Sequence, residues 1–256
     1  MPGFYATVAR YYDAEHQDKT DDLELYSDLA AEYGSPIFEV ACGTGRVMLR
    51  LAQEGYEIHG IDIEPAMLDF AQSKVEVLPD DLKKNLKLIL GNVLQYETDQ
   101  RYNLILVPYN GLLHFHNQDD LLRLLRKLRG WLTADGLLVL DQANPADAFG
   151  SQDTDAMILE KTFLEPETGH LVMQYSVSSL DRTAQMLQVN WIYDEVTADG
   201  TIKRTLAPVL FRYVFYSELR LLLQLAGFEV EAVYGSLDFE PYEDGCERML
   251  VLAKPK

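Results

Sequence analysis

The chain has 256 residues, 48% of them hydrophobic, and its formal net charge is −19. This length can bury one large core, with or without an inserted unit. The acidic excess disfavours DNA or RNA as a partner, because binding a phosphate backbone requires a clustered positive surface.

Other features limit the location and the bound groups. The sequence contains no run of about eighteen apolar residues, which a membrane span would need. The segment from Met1 to Tyr12 lacks the basic and apolar regions of a signal peptide. Cys42 and Cys246 lie far apart in sequence, which argues against a disulfide framework and against a metal site. We therefore expect a cytoplasmic protein, a monomer or a homodimer, with neither a membrane partner nor a bound metal.

The N-terminal region predicts two helices over residues 4–33. The second runs from about Asp22 to Tyr33, with Asp21 or Asp22 as its capping residue. A strand, a glycine turn, a helix and a second strand follow between Phe38 and Ala66.

The alternation then continues. A helix begins at Pro65, strands are predicted at Leu86–Leu90, Tyr102–Val107 and Gly136–Asp141, and an amphipathic helix at Leu121–Leu132. Strands that alternate with helices indicate a mostly parallel sheet covered on both faces.

The pattern changes at Asn144. Four β-rich segments at 156–163, 170–180, 185–196 and 201–213 follow without intervening helices, which predicts an inserted antiparallel β meander. A helix from Ser217, capped by that serine, and strands at 228–234 and 248–253 complete the chain, with an antiparallel edge strand in the main sheet. We therefore predict an α/β core over residues 1–142 and 214–256, with an N-terminal helical cap, and an inserted β lid over residues 143–213.

The glycine turn indicates a ligand that contacts bare backbone. Gly43 and Gly45 bring unpaired helix N–H groups to the end of a strand, and Asp62 ends the next strand, where a carboxylate suits a ribose diol. A dinucleotide turn would have a third glycine where Met48 stands, and the Glu39 carboxylate would repel a diphosphate but attract an amino group. A nicotinamide cofactor is therefore the weaker alternative.

The segment Glu39-Val-Ala-Cys-Gly-Thr-Gly-Arg resembles the first motif of the class I, Rossmann-like, S-adenosylmethionine-dependent methyltransferases. The resemblance continues through Gly-Ile-Asp62-Ile-Glu-Pro-Ala-Met-Leu, through Asn92-Val93, where the family usually has Asp, and through Asn110-Gly-Leu-Leu-His114, which is similar to a motif of the small-molecule branch. It covers about residues 5–142 and the final helix and strands. It implies a seven-stranded methyltransferase sheet and S-adenosyl-L-methionine as cofactor.

By this resemblance, one set of residues is expected to hold the cofactor, with Asp62 on the ribose and Asn92 on the adenine. The full set is Tyr11, Glu39, Ala41, Gly43, Gly45, Arg46, Asp62, Ile63, Met67, Asn92, Val93, Pro108 and Asn110.

The transfer itself needs mainly near-attack geometry in a dry site, so no catalytic triad is required. The first candidates for a direct role are His114, as a general base, and Tyr109, as a contact near the methyl group; a structural or cofactor-contacting histidine is the alternative. The expected acceptor-binding residues are Tyr12, His116, Tyr175, Trp191, Tyr193 and Arg212. For those in the meander, alternation alone does not separate the inward from the outward face.

The sequence therefore predicts an enzyme that transfers a methyl group from S-adenosylmethionine to an amine or a hydroxyl of a small molecule, and the acidic balance favours an amine. Two alternatives stay open: a non-catalytic S-adenosylmethionine-binding protein and a nicotinamide-dependent oxidoreductase. The sequence does not identify the acceptor.

Overall fold

The computed structural model describes residues 3–145 and 154–256. Its α-helices are α1 (Phe4–Glu15), α2 (Leu23–Tyr33), α3 (Arg46–Gln53), α4 (Pro65–Glu76), α5 (Asp80–Lys83), α6 (Gln118–Trp131) and α7 (Tyr216–Leu225). Its strands are β1 (Ile37–Val40), β2 (Ile58–Asp62), β3 (Leu86–Leu90), β4 (Tyr102–Val107), β5 (Leu132–Ala143), β6 (Thr154–Leu164), β7 (Leu171–Asp181), β8 (Met186–Val196), β9 (Ile202–Arg212), β10 (Phe228–Tyr234) and β11 (Arg248–Pro255).

Seven strands form the main sheet in the order β10-β11-β5-β4-β1-β2-β3. Strands β1 to β5 pair in parallel, which confirms the predicted α/β architecture. The antiparallel strand is β11, and it lies between β10 and β5 rather than at the edge. Because β1, β2 and β4 are neighbours, their carboxyl ends meet at one place along the sheet.

The core lies on both faces of this sheet. One face is covered by α6 and α7, whose leucines pack with Phe38, Ile105 and Leu140. The other is covered by α2 and α3, whose apolar stripes pack against Ile37 and Leu104. Burial on both faces explains why β4 from Leu104 onward and the middle of β5 are continuously apolar.

The insert is a separate four-stranded antiparallel sheet in the order β6-β7-β8-β9. Its four strands confirm the predicted meander. One face packs on α1, where Phe163, Val172 and Tyr193 meet Val8 and Tyr11. Helix α1 therefore lies between the insert and the main domain. Within the described ranges, no helix has both the length and the apolar character needed to cross a membrane.

Two predicted caps are wrong. Asp22 precedes α2 but makes no side-chain cap hydrogen bond, because its buried carboxylate binds the Arg46 guanidinium instead. Ser217 does not precede α7 either; the helix begins at Tyr216, after Phe215. For Asp22, a contact from outside the helix decides what the cap-type residue does.

Candidate functional site

A cavity of about 440 Å³ lies at the carboxyl ends of β1, β2 and β4. Its volume is within the range of small-molecule sites. Among the predicted site residues, fourteen line it: Tyr12, Glu39, Ala41, Gly43, Arg46, Asp62, Ile63, Met67, Asn92, Val93, Pro108, Tyr109, His114 and His116. Most predicted cofactor residues are therefore brought together, although they come from separate strand ends and loops.

The glycine turn forms one wall. Gly43 and Gly45 have φ values of 56° and 84°, in the left-handed region that glycine adopts without a steric cost. The backbone N–H of Gly43 donates to Oδ2 of Asp62 at 2.8 Å, so the turn and the end of β2 are joined. Gly45 lies behind the wall, where a Cβ atom would touch Leu49 and Ala71, and its role is in the turn itself.

Asp62 is fixed by the backbone. Besides the Gly43 contact, its Oδ1 atom accepts from the N–H of Glu64 at 2.9 Å. Burial raises the pKa of this carboxyl, while the backbone hydrogen bonds oppose that shift. The carboxylate is thus presented to the cavity in one orientation, with lone pairs left for a ligand.

Glu39 lies at the floor of the cavity and is only 2% exposed. Its Oε2 atom has no hydrogen-bond partner among the described residues. Burial raises the pKa of Glu39 to about 8, against the opposing effect of Arg46. A buried carboxyl oxygen without a partner is costly, and a cationic donor from a ligand would remove that cost.

Arg46 begins α3 and is held from outside the cavity. It donates to the Lys19 carbonyl at 3.0 Å and to Oδ2 of the fully buried Asp22 at 2.7 Å. The ion pair with Asp22 raises the pKa of Arg46 even though burial opposes this. This guanidinium keeps a positive charge beside the two cavity carboxylates.

The two predicted asparagines are used locally. Oδ1 of Asn92 accepts from the N–H of Leu94 at 2.9 Å, so this oxygen, expected to bind adenine, already has a backbone partner. Oδ1 of Asn110 accepts from the N–H of Ala143 at 2.6 Å, and Asn110 lies outside the cavity wall. Both side chains stabilise the loops that follow β3 and β4.

His114 ends a short 3₁₀ turn, Gly111–His114, and faces the cavity together with Tyr5. Its Nε2 atom is 2.8 Å from the Tyr5 hydroxyl oxygen, and the two rings meet edge to face. Burial, with a smaller effect of His116, lowers the pKa of His114 to about 4. The imidazole is therefore neutral at neutral pH, and its basicity is low.

His116 and Tyr109 lie on either side of this turn. His116 pairs its Nε2 atom with the Leu210 carbonyl at 2.8 Å and so links the cavity rim to β9. Tyr109 has a positive φ of 41°, and burial raises the pKa of its hydroxyl. Both residues border the cavity.

Besides Gly45 and Asn110, five predicted residues do not line the cavity: Tyr11, Tyr175, Trp191, Tyr193 and Arg212. Tyr11 and Tyr193 stack at a ring-centroid distance of 4.9 Å in the contact between α1 and the insert. Trp191 packs beside them. Arg212 is 4% exposed and pairs with Glu218 at 2.6 Å, so its charge is used within the fold.

Tyr175 points to the opposite face of the insert. It is paired across strands with Ile192, and its hydroxyl contacts the Met173 sulfur on the same face. Strand alternation places Gln174, whose amide binds Glu15 of α1, on the inner face. None of the described insert residues lines the cavity, so the predicted acceptor contacts of the insert lack structural support.

Several residues of the site do not belong to the set expected from the sequence. Tyr5 and Thr44 line the cavity, and Asp141 and Arg248 support its wall from behind. Tyr5 and Tyr12 are seven residues apart on a helix, and this spacing was an available signal for a shared face. Asp141 and Arg248 are far apart in sequence and gave no local signal.

Residues 37–136 match the family of methyltransferase domains. The chain is 24% identical over 219 residues to the cypemycin N-terminal methyltransferase of a Streptomyces species, with 86% of this chain and 82% of that protein covered. It is 24% identical over 141 residues to dTDP-3-amino-3,6-dideoxy-alpha-D-glucopyranose N,N-dimethyltransferase of Streptomyces fradiae, with 52% of each chain covered. The chain spans about half the length of several curated relatives that it matches.

A solved structure has the same fold. The CcbJ methyltransferase from Streptomyces caelestis superposes with a TM-score of 0.77 at 23% identity, and the alignment covers 93% of this chain and 96% of that one. Its likeness extends over the insert as well as the main sheet. The match of residues 37–136 identifies a methyltransferase domain in this part of the chain, and the superposition shows that the chain has the fold of a solved methyltransferase structure.

Proposed function

We propose that this protein transfers a methyl group from S-adenosylmethionine to an amine nitrogen of a small-molecule acceptor. The observation that carries this proposal is the pair of carboxyls, Glu39 and Asp62, at separate points of one cavity beside a glycine turn. An amino acid group, a ribose diol and a sulfonium are the features of the cofactor that two carboxylates would recognise.

The residues present fit the cofactor. The partnerless Oε2 atom of Glu39 suits a ligand ammonium group, and Asp62 retains lone pairs for hydroxyl groups. Ile63, Met67 and Val93 supply apolar surface for a flat ring between them. When bound, S-adenosylmethionine supplies an electrophilic methyl group.

The protein's own contribution is to orient the reactants and exclude water. Tyr5 and Tyr12 cover the cavity from α1, and Tyr109 and His114 face it from the loop after β4. Holding both reactants in near-attack geometry supplies much of the barrier reduction in such a transfer. Neutral His114 and the Tyr5 hydroxyl can position a hydrogen-bonding nucleophile without a change in charge.

An amine is favoured over a hydroxyl for two reasons. Of the relatives named above, one is an amino-sugar N,N-dimethyltransferase and another is an N-terminal methyltransferase by name. The low pKa of His114, about 4, makes it a poor base for deprotonating a hydroxyl, whereas a neutral amine already has a free lone pair.

The two alternatives have less support. A dinucleotide turn needs a glycine at position 48 so that the helix can pack closely on the strand. Met48 is fully buried there, with its sulfur beside Gly60, which argues against a nicotinamide cofactor. A non-catalytic binding protein would bind S-adenosylmethionine but form no S-adenosylhomocysteine with any acceptor.

We also infer the wider setting. Residues 1–142 and 214–256 form the cofactor-binding core and residues 143–213 the insert above its acceptor side. A cytoplasmic location, a monomer or homodimer, and the lack of a nucleic-acid partner are supported by the net charge of −19 and the composition.

Replacement of Asp62 by alanine tests the cofactor assignment. We expect Asp62→Ala to weaken S-adenosylmethionine binding at least about tenfold, because a charge-assisted contact of about 1.5–3 kcal/mol is lost. Isothermal titration calorimetry measures this. Asp69→Ala, an exposed carboxylate on α4, is the matched control and should bind normally. Unchanged affinity in Asp62→Ala would contradict the assignment.

A further inference from the structure

Tyr109 and Asn110 form an unusual turn at the cavity. They follow β4 directly, and their φ values are 41° and 68°. Two successive non-glycine residues in the left-handed region each cost about 1–2 kcal/mol. Such a conformation persists only where neighbouring groups hold it, and Asn accepts it more readily than Tyr.

The end of β5 holds this turn. The N–H of Tyr109 donates to Oδ2 of Asp141 at 3.2 Å, and the N–H of Asn110 donates to the Asp141 carbonyl at 2.9 Å. The side chain of Asn110 in turn accepts from the N–H of Ala143. A single residue, Asp141, therefore binds two consecutive N–H groups of the strained turn.

Asp141 is itself fixed. It is 1% exposed, and Oδ2 also accepts from the Tyr26 hydroxyl at 3.0 Å. Its Oδ1 atom accepts from Nε of Arg248 at 3.0 Å and from Nη2 of the same guanidinium. Four donors thus hold the carboxylate in one orientation. Arg248, which supplies two of them, is the first residue of β11 and lies 107 residues from Asp141 in sequence.

Arg248 also contacts the ring of Tyr109. The Arg248 guanidinium carbon is 5.9 Å from the ring centroid, and the Lys19 ammonium nitrogen is 5.2 Å from it. The His16 ring meets it edge to face at 5.6 Å. Within residues 3–145 and 154–256, these contacts involve the ring and the backbone of Tyr109 and leave its hydroxyl group for a ligand in the cavity.

We propose that Asp141 and Arg248 are positioning residues for methyl transfer, which hold Tyr109 so that its hydroxyl group meets the methyl and sulfonium end of the cofactor. This inference rests on the proposed function. A phenol oxygen near a sulfonium attracts the positive charge and the polarised methyl C–H bonds. Its effect should therefore appear with S-adenosylmethionine and not with S-adenosylhomocysteine, which lacks both the methyl group and the charge.

The test compares the two ligands by calorimetry and needs no acceptor. Tyr109→Phe removes only the hydroxyl, and the double variant Asp141→Asn/Arg248→Gln removes the ion pair without leaving an unpaired buried charge. For each we expect about threefold or greater loss of S-adenosylmethionine affinity and less than about twofold change for S-adenosylhomocysteine. The triple variant Tyr109→Phe/Asp141→Asn/Arg248→Gln combines these changes. It should bind S-adenosylmethionine no more weakly than the double variant, since contacts in one network are not additive.

Two further variants separate an effect on the cofactor from a general loss of stability. Arg248→Lys keeps the charge but loses the two-pronged contact, so it should fold normally and show a smaller loss of the same selective kind. Asp194→Asn/Arg204→Gln is the control, because this pair is also joined by hydrogen bonds from Nε and Nη2 of the arginine but lies on the insert, away from the cavity. It should bind both ligands as the wild type does.

If the double variant loses affinity equally for both ligands, the pair only stabilises the fold, and the proposal is overturned. If the double variant does not fold, the same result in Arg248→Lys overturns it. The proposal is also overturned if the affinity loss of the triple variant equals the product of the losses in Tyr109→Phe and in the double variant. Failure of the wild type to bind either ligand would instead overturn the proposed function, and this inference with it.

Discussion

Glu39 shows how a single residue can prepare a site for a cation. The side chain comes from the middle of the sheet, is 2% exposed and has an oxygen without a partner among the described residues. With a pKa of about 8, the carboxyl is protonated at slightly acidic pH in the free protein. A ligand ammonium group beside it favours the charged form, so binding should be coupled to proton release.

Calorimetry in buffers of different ionisation enthalpy measures this release. At pH 6.5, below the pKa of Glu39, we expect wild-type protein to release up to about one proton when S-adenosylmethionine binds. Glu39→Gln, which has the same shape but does not titrate, should release none. Equal proton release by both proteins would assign the coupling to another group.

His114 has the opposite property. Its pKa of about 4 places its ionisation well below the physiological range, because the ring is buried against Tyr5 and Phe211. The hydrogen bond between His114 and Tyr5 therefore joins two neutral groups. This favours a role in orienting the acceptor over one in storing a proton.

His114→Ala should lower turnover more than it lowers S-adenosylmethionine affinity, since the lost contact is to the acceptor. In wild-type protein the acid limb of turnover caused by His114 should lie near pH 4 and not near 6.5. Steady-state kinetics across pH, with His170→Ala on the insert as a control, measures both. If turnover and affinity stay at the wild-type level, His114 is structural.

Among the elements, α1 has the central position. Its Tyr5 and Tyr12 side chains cover the cavity, Asp13 accepts from the Thr44 hydroxyl at 2.6 Å, and Arg10 pairs with Glu195 of the insert. The helix thus contacts the glycine turn on one side and β8 on the other. Its position determines how the insert and the cavity are related.

Glu195 is the main polar link between α1 and the insert. It is 3% exposed and accepts from Arg10 and from the Tyr11 hydroxyl, and His170 pairs with its other oxygen at 2.8 Å. Burial alone would raise the pKa of Glu195, but these partners lower it. A carboxyl with a lowered pKa stabilises the fold above its unfolded pKa, and this contribution is lost as the pH falls through its folded value.

We expect Glu195→Gln to reduce the free energy of unfolding at pH 7 by about 1.5–3 kcal/mol, the value of hydrogen bonds to a charged group. The difference from wild type should shrink as the pH falls below the ordinary carboxyl range, where Glu195 itself becomes protonated. Denaturant unfolding at pH 7 and at about pH 3 measures this. A difference that is the same at both pH values would exclude an electrostatic origin.

The order of elements could be predicted from the sequence because it depends on local patterns. Alternating runs and turn residues predict the meander, and Gly43 and Gly45 mark the turn before α3. The inward face of the insert could not be predicted, because polar side chains such as Gln174 and Glu195 face α1 while Tyr175 faces away. Period-two alternation defines two faces and does not say which one is covered.

At the scale of the whole molecule, the cavity depends on contacts between distant parts of the chain. Asp22 holds Arg46, and Arg248 holds Asp141 behind Tyr109. The cavity-lining residues near the glycine turn could be predicted because they belong to a contiguous motif. The supporting ion pairs were not, since partners that are 24 and 107 residues apart leave no periodic or spacing signal.

The central claim is methyl transfer to an amine, and transfer of a labelled methyl group tests it most directly. Wild-type protein is incubated with S-adenosylmethionine labelled with ¹³C at the methyl carbon and a panel of small primary and secondary amines and matched alcohols. We predict an amine product whose ¹³C shift is that of an N-methyl group, with S-adenosylhomocysteine formed in equal amount and with Asp62→Ala inactive at the same cofactor concentration. An O-methyl product, or cofactor binding without transfer to any member of the panel, would contradict the account.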